Sequence, residues 1–223
     1  MQVRIDNVGN ERAPVIVVDD VWPDARALHA MAAQRGDYGR TSLYYPGLRS
    51  VAPREYATGI VASLRDIIRS ALGIAGELTI TDSTFSLVTL PAEKLVPFQR
   101  VPHYDSVDPN RIALLHYLCD SGGTSFYRHR SSGTETVTAA REEQYVRTVN
   151  AEVRATGMPP AQYVDGDTNL FERIASYQAA FNRALIYRGS MLHSVNVPPG
   201  FVPDTDPRTG RLTVNTFLLA IPQ

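Results

Sequence analysis

Hydrophobic and polar positions divide the chain into a helical first third and a β-rich remainder. Residues 15–18 are four consecutive β-branched residues, a run that predicts a short buried strand. Residues 25–35 are rich in alanine and 54–72 place apolar residues near helical spacing, so both are predicted helices, with Asp24 as the N-cap of the first. Residues 36–53 contain turn-forming residues and predict a loop between the helices.

The rest of the chain has the composition of β-strands, with one interruption. Residues 78–90 are rich in Thr, Ser, Phe and Val, which favour a strand. Residues 136–183 interrupt this pattern with two amphipathic segments, 142–154 and 169–182, which predict two helices. The remaining predicted strands are 101–105, 111–118, 124–130, 184–187, 191–197 and 211–221.

These elements predict a mainly β fold with flanking helices. About eight short strands and one helical insertion are typical of a double-stranded β-helix, or jelly roll, with the helices outside. We therefore predict a single domain over residues 1–223. In this division 1–77 is an N-terminal strand with support helices, 78–135 and 184–223 are the jelly-roll core, and 136–183 is the helical insertion.

Composition narrows the classes of function. The 22 basic and 23 acidic residues nearly balance, so nothing in the charge indicates a nucleic-acid partner. The single cysteine, Cys119, excludes an intrachain disulfide and fits a reducing cytoplasm. The first residues lack the apolar core of a signal peptide, and no early apolar run is long enough to span a bilayer. We expect a cytoplasmic protein with no membrane partner, and a homodimer is compatible with its size.

Candidate chemistry begins with His103 and Asp105. Two residues apart on an extended strand, these side chains point to the same side. Together with His193 from a later strand they make two imidazoles and one carboxylate, a set that leaves open positions on non-haem Fe(II). The alternative explanation of the short His-x-Asp pattern is a polar edge strand with a hydrogen-bonded histidine.

A second candidate pair lies on the last predicted strand. Arg211 and Thr213 are two residues apart and therefore share one strand face. An arginine fork beside a hydroxyl group is suited to binding a small carboxylate. The sequence thus predicts a metal centre and a carboxylate site in one fold.

The order of these residues resembles the Fe(II)/2-oxoglutarate-dependent oxygenases, especially the prolyl-hydroxylase-like branch and an uncharacterised bacterial subfamily of it. The resemblance covers about residues 80–221, with gaps. The stretches that carry it are 101–105, 113–119, 122–126, 184–193 and 211–215.

The resemblance implies roles for six residues. His103, Asp105 and His193 are implied to hold Fe(II). Arg211 is implied to bind the distal carboxylate of the co-substrate 2-oxoglutarate, with the hydroxyl of Thr213 in support. Tyr117 falls at the tyrosine of the family's Tyr-Leu-Asn strand and is implied to contact the co-substrate.

The activity implied is that of a dioxygenase that uses O2 and 2-oxoglutarate and releases succinate and CO2. Hydroxylation of a C–H bond in a small-molecule, amino-acid or peptidyl substrate is the expected reaction, and desaturation and epimerisation stay open. The retained Asp105 argues against halogenation, because no ligand position is vacated. Two alternatives remain: a cupin-like metal enzyme of other chemistry, against which Arg211 argues, and a non-catalytic jelly-roll binding module.

Three segments are candidates for contact with the substrate. They are the turn at 44–47, the pair Arg128 and Arg130, and the insertion 136–183 as a lid. Placement on the solvated surface is the alternative explanation for each of them.

Overall fold

The computed structural model describes residues 1–41, 43–198 and 200–221. Within these ranges the α-helices are α1 (Ala25–Gln34), α2 (Arg54–Leu72) and α3 (Glu142–Thr156). The strands are β1 (Gln2–Val8), β2 (Ala13–Asp19), β3 (Gly47–Val51), β4 (Glu77–Val88), β5 (Arg111–Tyr117), β6 (Gly123–His129), β7 (Phe171–Gln178), β8 (Ala184–Arg188), β9 (His193–Asn196) and β10 (Leu212–Ile221).

Two antiparallel sheets pack face to face. The larger sheet has the order β1-β2-β8-β5-β10-β4-β3 and the smaller has the order β7-β6-β9. Tyr117 and Tyr187 of the larger sheet share a buried cluster with Phe126 of the smaller one. The rings of Phe126 and Tyr187 meet edge to face at 4.9 Å between centroids, a favourable aromatic geometry. This architecture confirms the predicted mainly β jelly roll.

The first two helices cover the outer face of the larger sheet. Ile60, Leu64 and Ile68 lie four residues apart on α2, and all three are fully buried. Each contributes about 1.5–3 kcal/mol by its burial. Because Ile16 packs with these helices and Val17 packs between the sheets, β2 is apolar on both faces. Among the described residues, no helix has both the length and the apolar composition that a membrane span requires.

The prediction of a helix over 169–182 is wrong. Phe171–Gln178 forms β7, which pairs antiparallel with β6 at the edge of the smaller sheet. The apolar residues of this short segment fit both the helical period of 3.6 residues and the strand period of two. Hydrogen bonding to the backbone of β6 therefore determines that the segment is a strand. The segment 136–183 is therefore a helix and a strand, and the strand belongs to the jelly roll.

Three other segments differ from the predictions. Residues 36–53 contain the edge strand β3 in addition to a loop. The polar, exposed β1 was not predicted, because it has little alternation of buried positions. Residues 101–105 form no continuous strand and make a single bridge between His103 and His193.

Candidate metal centre and carboxylate site

The two candidate histidine ligands are joined through their backbones. The amide of His103 donates to the carbonyl of His193 at 2.9 Å, and the amide of His193 donates back at 2.8 Å. Next along the chain, the amide of Asp105 donates to the carbonyl of Gly189 at 2.7 Å. These bonds hold segment 103–105 beside the start of β9. The bridge between His103 and His193 thereby brings together candidate ligands that are far apart in sequence.

The three side chains converge. Nε2 of His103 lies 3.9 Å from one carboxylate oxygen of Asp105, and Nε2 of His193 lies 3.6 Å from the other. One ligand atom from each residue falls within 4.8 Å of the other two. The side chain of His193 is 7% exposed and that of His103 is 51% exposed, so the cluster has a closed side and an open side.

A hydrogen bond orients the imidazole of His193 for metal binding, and burial favours the neutral imidazole of His103. Nδ1 of His193 lies 2.8 Å from the carbonyl of Met191. A carbonyl can only accept, so Nδ1 carries the proton and Nε2 presents its lone pair to the cluster. Burial first, and then the neighbouring His193, lower the pKa of His103 to about 4. The neutral form is the one that binds metals.

Arg211 is a buried cation without a counter-ion in the described part of the chain. The residue is 4% exposed, and its Nη2 donates to the carbonyl of Gly123 at 2.7 Å. Its guanidinium lies over the ring of Tyr117, 5.7 Å from the centroid. Its Nε is buried and has no hydrogen-bond partner. Because an unpaired buried charge is costly, this arrangement favours binding of an external anion.

The glycine turn before β6 positions this arginine. Gly122 adopts φ +75°, and a Cβ there would lie 2.2 Å from the carbonyl oxygen of Asn196. A side chain is therefore excluded where the turn passes Arg211. The turn delivers the Gly123 carbonyl to the guanidinium.

Thr213 and Tyr117 are cross-strand partners beside Arg211. The hydroxyl of Thr213 donates to Oδ1 of Asn215 at 2.7 Å. The hydroxyl of Tyr117 lies 2.7 Å from that of Thr124, and burial raises the pKa of Tyr117 to about 12. Thr213 lines the cavity described next, whereas Tyr117 lies beneath Arg211 and is not part of the cavity wall.

One cavity of about 650 Å3 contains both groups of residues. His103, Asp105 and His193 line it together with Arg211 and Thr213. Helix α3 forms one wall with the apolar side chains Tyr145, Val146 and Val149. Tyr44 and Phe98 stand at the mouth, with their rings 5.0 Å apart.

Of the three candidate segments for substrate contact, two line the cavity and the pair Arg128 and Arg130 does not. Tyr44, Tyr45 and Pro46 of the predicted turn line the cavity. Arg128 pairs with Glu135 and Glu172, and Arg130 pairs with Asp167, away from the cavity lining. The insertion contributes the wall of α3 through apolar residues rather than through its arginines.

Two charged residues of the cavity lining escaped the sequence reasoning, Arg49 on β3 and Arg111 on β5. Arg111 lies an even number of positions from Leu115 and Tyr117, so the three side chains point to the same face of β5. This alternation was the sequence signal that could have identified Arg111. Arg49 lies in a segment predicted to be a loop and carried no such signal.

The sequence matches the family DUF6445, described as a family of unknown function, over residues 1–218. No functionally curated protein matches it.

Solved structures share the fold. HygX from Streptomyces hygroscopicus, with nickel and 2-oxoglutarate bound, aligns with a TM-score of 0.53 at 11% identity, over 96% of this chain and 84% of that one. SnoN, a non-haem α-ketoglutarate-dependent epimerase from nogalamycin biosynthesis, aligns at 0.52 and 13% identity over 94% and 78%. EctD from S. alaskensis, with 2-oxoglutarate and 5-hydroxyectoine, aligns at 0.50 and 12% identity over 95% and 73%.

At these identities the alignments show that the chain shares the jelly-roll fold of these structures. The family match extends over nearly the whole sequence. The chain therefore belongs to the DUF6445 family.

Proposed function

We propose that this protein is an Fe(II)- and 2-oxoglutarate-dependent oxygenase. The observation that carries the proposal is that a two-histidine, one-carboxylate cluster shares a cavity with a buried arginine that has an unpartnered Nε. The fold shared with HygX and EctD, whose structures contain 2-oxoglutarate, supports it.

The donor set fits a ferrous ion. His103, Asp105 and His193 would hold it with two neutral nitrogens and one anionic oxygen, leaving the remaining positions to the co-substrate and O2. When bound, iron with 2-oxoglutarate and O2 supplies the oxidant for an unactivated C–H bond, and 2-oxoglutarate leaves as succinate and CO2.

The carboxylate site fits the co-substrate. Arg211 would bind the distal carboxylate of 2-oxoglutarate through the guanidinium N–H groups that Gly123 does not use, and Thr213 would support it once its hydroxyl turns from Asn215 to the carboxylate. The ring of Tyr117 and the carbonyl of Gly123 hold the guanidinium in place before the co-substrate arrives. Burial strengthens this charge pair, because water is excluded from it.

We infer that the substrate is a small molecule and that the product is hydroxylated. The volume of about 650 Å3 lies within the range of small-ligand sites. The wall of α3 and the aromatic mouth would exclude water while the substrate C–H bond is positioned over the metal. Arg211 disfavours a cupin-like site of other chemistry, and its unpartnered state disfavours a non-catalytic module.

The test is an anaerobic titration of the purified protein with Fe(II) and 2-oxoglutarate, followed by the visible charge-transfer band of the chelate. We expect a band in the wild type and in His29→Gln, and no band in His193→Ala. His29 lies outside the cavity and serves as the matched histidine control. A folded wild-type protein without a band would contradict the proposal. A band that is unchanged in Arg211→Ala would contradict the role given to Arg211 alone.

A further inference from the structure

We propose that the substrate carries an oxyanion group, a carboxylate or a phosphate, and that Arg111 binds this group beside the metal. The inference rests on the proposed function and assigns a substrate class to the same cavity. It begins from the position of Arg111 at the first residue of β5, where the side chain lines the cavity.

Gly189 places Arg111 next to the carboxylate ligand. Its amide donates to the carbonyl of Arg111 at 2.9 Å, and its carbonyl accepts from the amide of Asp105 at 2.7 Å. A Cβ on Gly189 would lie 3.3 Å from Cβ of Asp105 and 3.5 Å from Cγ of Arg111. The two side chains therefore flank the same point of the backbone, and an anion held by Arg111 would lie close to the metal cluster.

Arg111 has no ion pair or hydrogen bond through its side chain within residues 1–41, 43–198 and 200–221. Its guanidinium lies over the ring of Phe217, 5.8 Å from the centroid, and that ring also lines the cavity. Elsewhere the chain pairs arginines with carboxylates, as in Arg128 with Glu135 and Arg183 with Asp19. A ring beneath an arginine whose fork is free is an arrangement suited to an oxyanion.

The charge of the cavity also favours an anionic substrate. Arg49, Arg111 and Arg211 line it, and Asp105 is the one acidic residue among its described lining residues. The charges of a ferrous ion and of dianionic 2-oxoglutarate cancel, so positive charge remains in excess when both are bound. A cavity with such an excess concentrates anions and disfavours cationic substrates.

Arg49 and Arg111 belong to opposite ends of the cavity. Arg49 stacks on Tyr45 at 4.3 Å and pairs in register with Ser86, which in turn pairs with Thr213, so it lies at the co-substrate end. Tyr117, the cross-strand partner of Thr213, lies six residues along β5 from Arg111, roughly 20 Å in an extended strand. Arg111 is therefore the cation available to the substrate.

The mouth indicates the rest of the substrate. Tyr44 is 79% exposed and Phe98 is 40% exposed, and the two rings contact each other at the entrance. Together with Val146 and Val149 of α3 they offer an apolar surface. A small organic anion with a ring or an aliphatic body would place its oxyanion on Arg111 and its body under this surface.

Equilibrium dialysis of the protein loaded anaerobically with Fe(II) and 2-oxoglutarate tests the inference. The probes are phenylacetate and phenyl phosphate, with neutral phenylacetamide for comparison. We expect at least one anion to bind about tenfold more tightly than phenylacetamide, which corresponds to one charge-assisted hydrogen-bonded pair. The two anions distinguish a carboxylate substrate from a phosphate substrate.

Variants of Arg111 test whether this residue causes the preference for anions over phenylacetamide. Arg111→Gln is expected to abolish it and Arg111→Lys to retain it in part, because the charge remains without the fork. Arg147→Gln is the matched control, since Arg147 is exposed on α3 and pairs with Glu143. Equal binding of anions and phenylacetamide to the wild type, or a preference that survives in Arg111→Gln, would overturn the inference.

The dialysis and the chelate-band titration together distinguish failure of this inference from failure of the proposed function. If the chelate band forms and no anion preference is found, the oxygenase proposal stands and the anion site falls. If the band never forms, the oxygenase proposal falls. Dialysis of the unloaded protein then decides the anion site by itself, through the difference between wild type and Arg111→Gln.

Discussion

The hydroxyl of Tyr104 donates to Oε1 of Glu142 at 2.9 Å and thereby joins the ligand segment to the first turn of α3. Tyr104 lies between His103 and Asp105 in sequence, and its side chain packs with the cluster beneath α3 rather than with the ligands. Burial first, and then Glu142, raise the pKa of Tyr104 to about 12, so the phenol stays a donor at physiological pH. The helix that walls the cavity is thus bonded to the segment that carries two candidate ligands.

Tyr104→Phe removes this bond and keeps the ring. We expect the free energy of unfolding to fall by about 1 kcal/mol, because one hydrogen bond to a carboxylate is lost. Hydrogen exchange should lose protection at the first turn of α3. Glu142→Gln should act in the same direction, whereas Glu143→Gln, whose side chain is 84% exposed, should have little effect. Equal protection of α3 in wild type and Tyr104→Phe would contradict this linkage.

Arg211→Lys should weaken 2-oxoglutarate binding despite keeping the charge. The guanidinium donates to Gly123 and keeps further N–H groups of its planar fork for a carboxylate, a geometry that an ammonium group cannot reproduce. The loss of one or two charge-assisted hydrogen bonds should raise the Kd about ten- to a hundredfold, measured by titration of the chelate band. Arg208→Gln, which removes an exposed arginine paired with Asp206, should leave the Kd unchanged.

Gly189→Ala should disturb the metal cluster. The added methyl group would press on Cβ of Asp105 at 3.3 Å, closer than ordinary packing contacts. Overpacking of this kind costs about 1–3 kcal/mol, and it acts directly on the carboxylate ligand. We expect weaker binding of Co(II), measured from its visible absorption. Gly36→Ala, with no atom within 4 Å of the new Cβ, is the matched control and should bind as the wild type does.

His116 should make the metal-free protein sensitive to acid. Its Nδ1 lies 2.8 Å from the hydroxyl of Tyr56 and its Nε2 lies 3.0 Å from Oδ1 of Asn182. Burial lowers its pKa from 6.5 to about 4. The unfolded chain therefore takes up the proton first, so stability is complete above pH 6.5 and is lost as the pH falls towards 4.

The contribution of His116 amounts to roughly 3 kcal/mol over that interval. Urea unfolding at a series of pH values should show a shallower pH dependence in His116→Gln than in the wild type. The change in slope is the diagnostic quantity, since His116→Gln also lowers stability at neutral pH by disturbing Tyr56 and Asn182. A parallel pair of curves would contradict the assignment, and His29→Gln serves as the control.

Sequence alone predicted the elements whose period is long and uninterrupted. Helix α2 begins and ends at the predicted residues, because its apolar stripe is regular and Gly73 ends it in a left-handed conformation. The segment at 171–178 was misassigned because its partner strand, not its own pattern, determines its conformation. The polar strand β1 is likewise defined by pairing with β2.

The candidate site was predictable to the extent that its residues lie two positions apart in extended sequence. His103 with Asp105, and Arg211 with Thr213, are pairs two residues apart, and the structure places both pairs in one cavity. The approach of Gly189 to Asp105 and Arg111 depends on how distant loops meet, which no local spacing encodes. Alternation along β5 places Arg111 on the same strand face as Leu115, but its nearness to Asp105 follows only from this contact.

The outer wall of the cavity has an evolutionary consequence. Tyr44 lies in a loop, Phe98 lies in the short 3-10 helix Pro97–Arg100, and α3 lies outside both sheets, so none of these parts contributes to the β-ladders that hold the ligand residues. Substitutions of wall side chains that do not bond the ligand segment, such as Val146 and Val149, can alter which molecule enters while leaving the ladder hydrogen bonds unaltered. We therefore expect divergence within the family to fall in this wall more than in the backbone ladders beneath it.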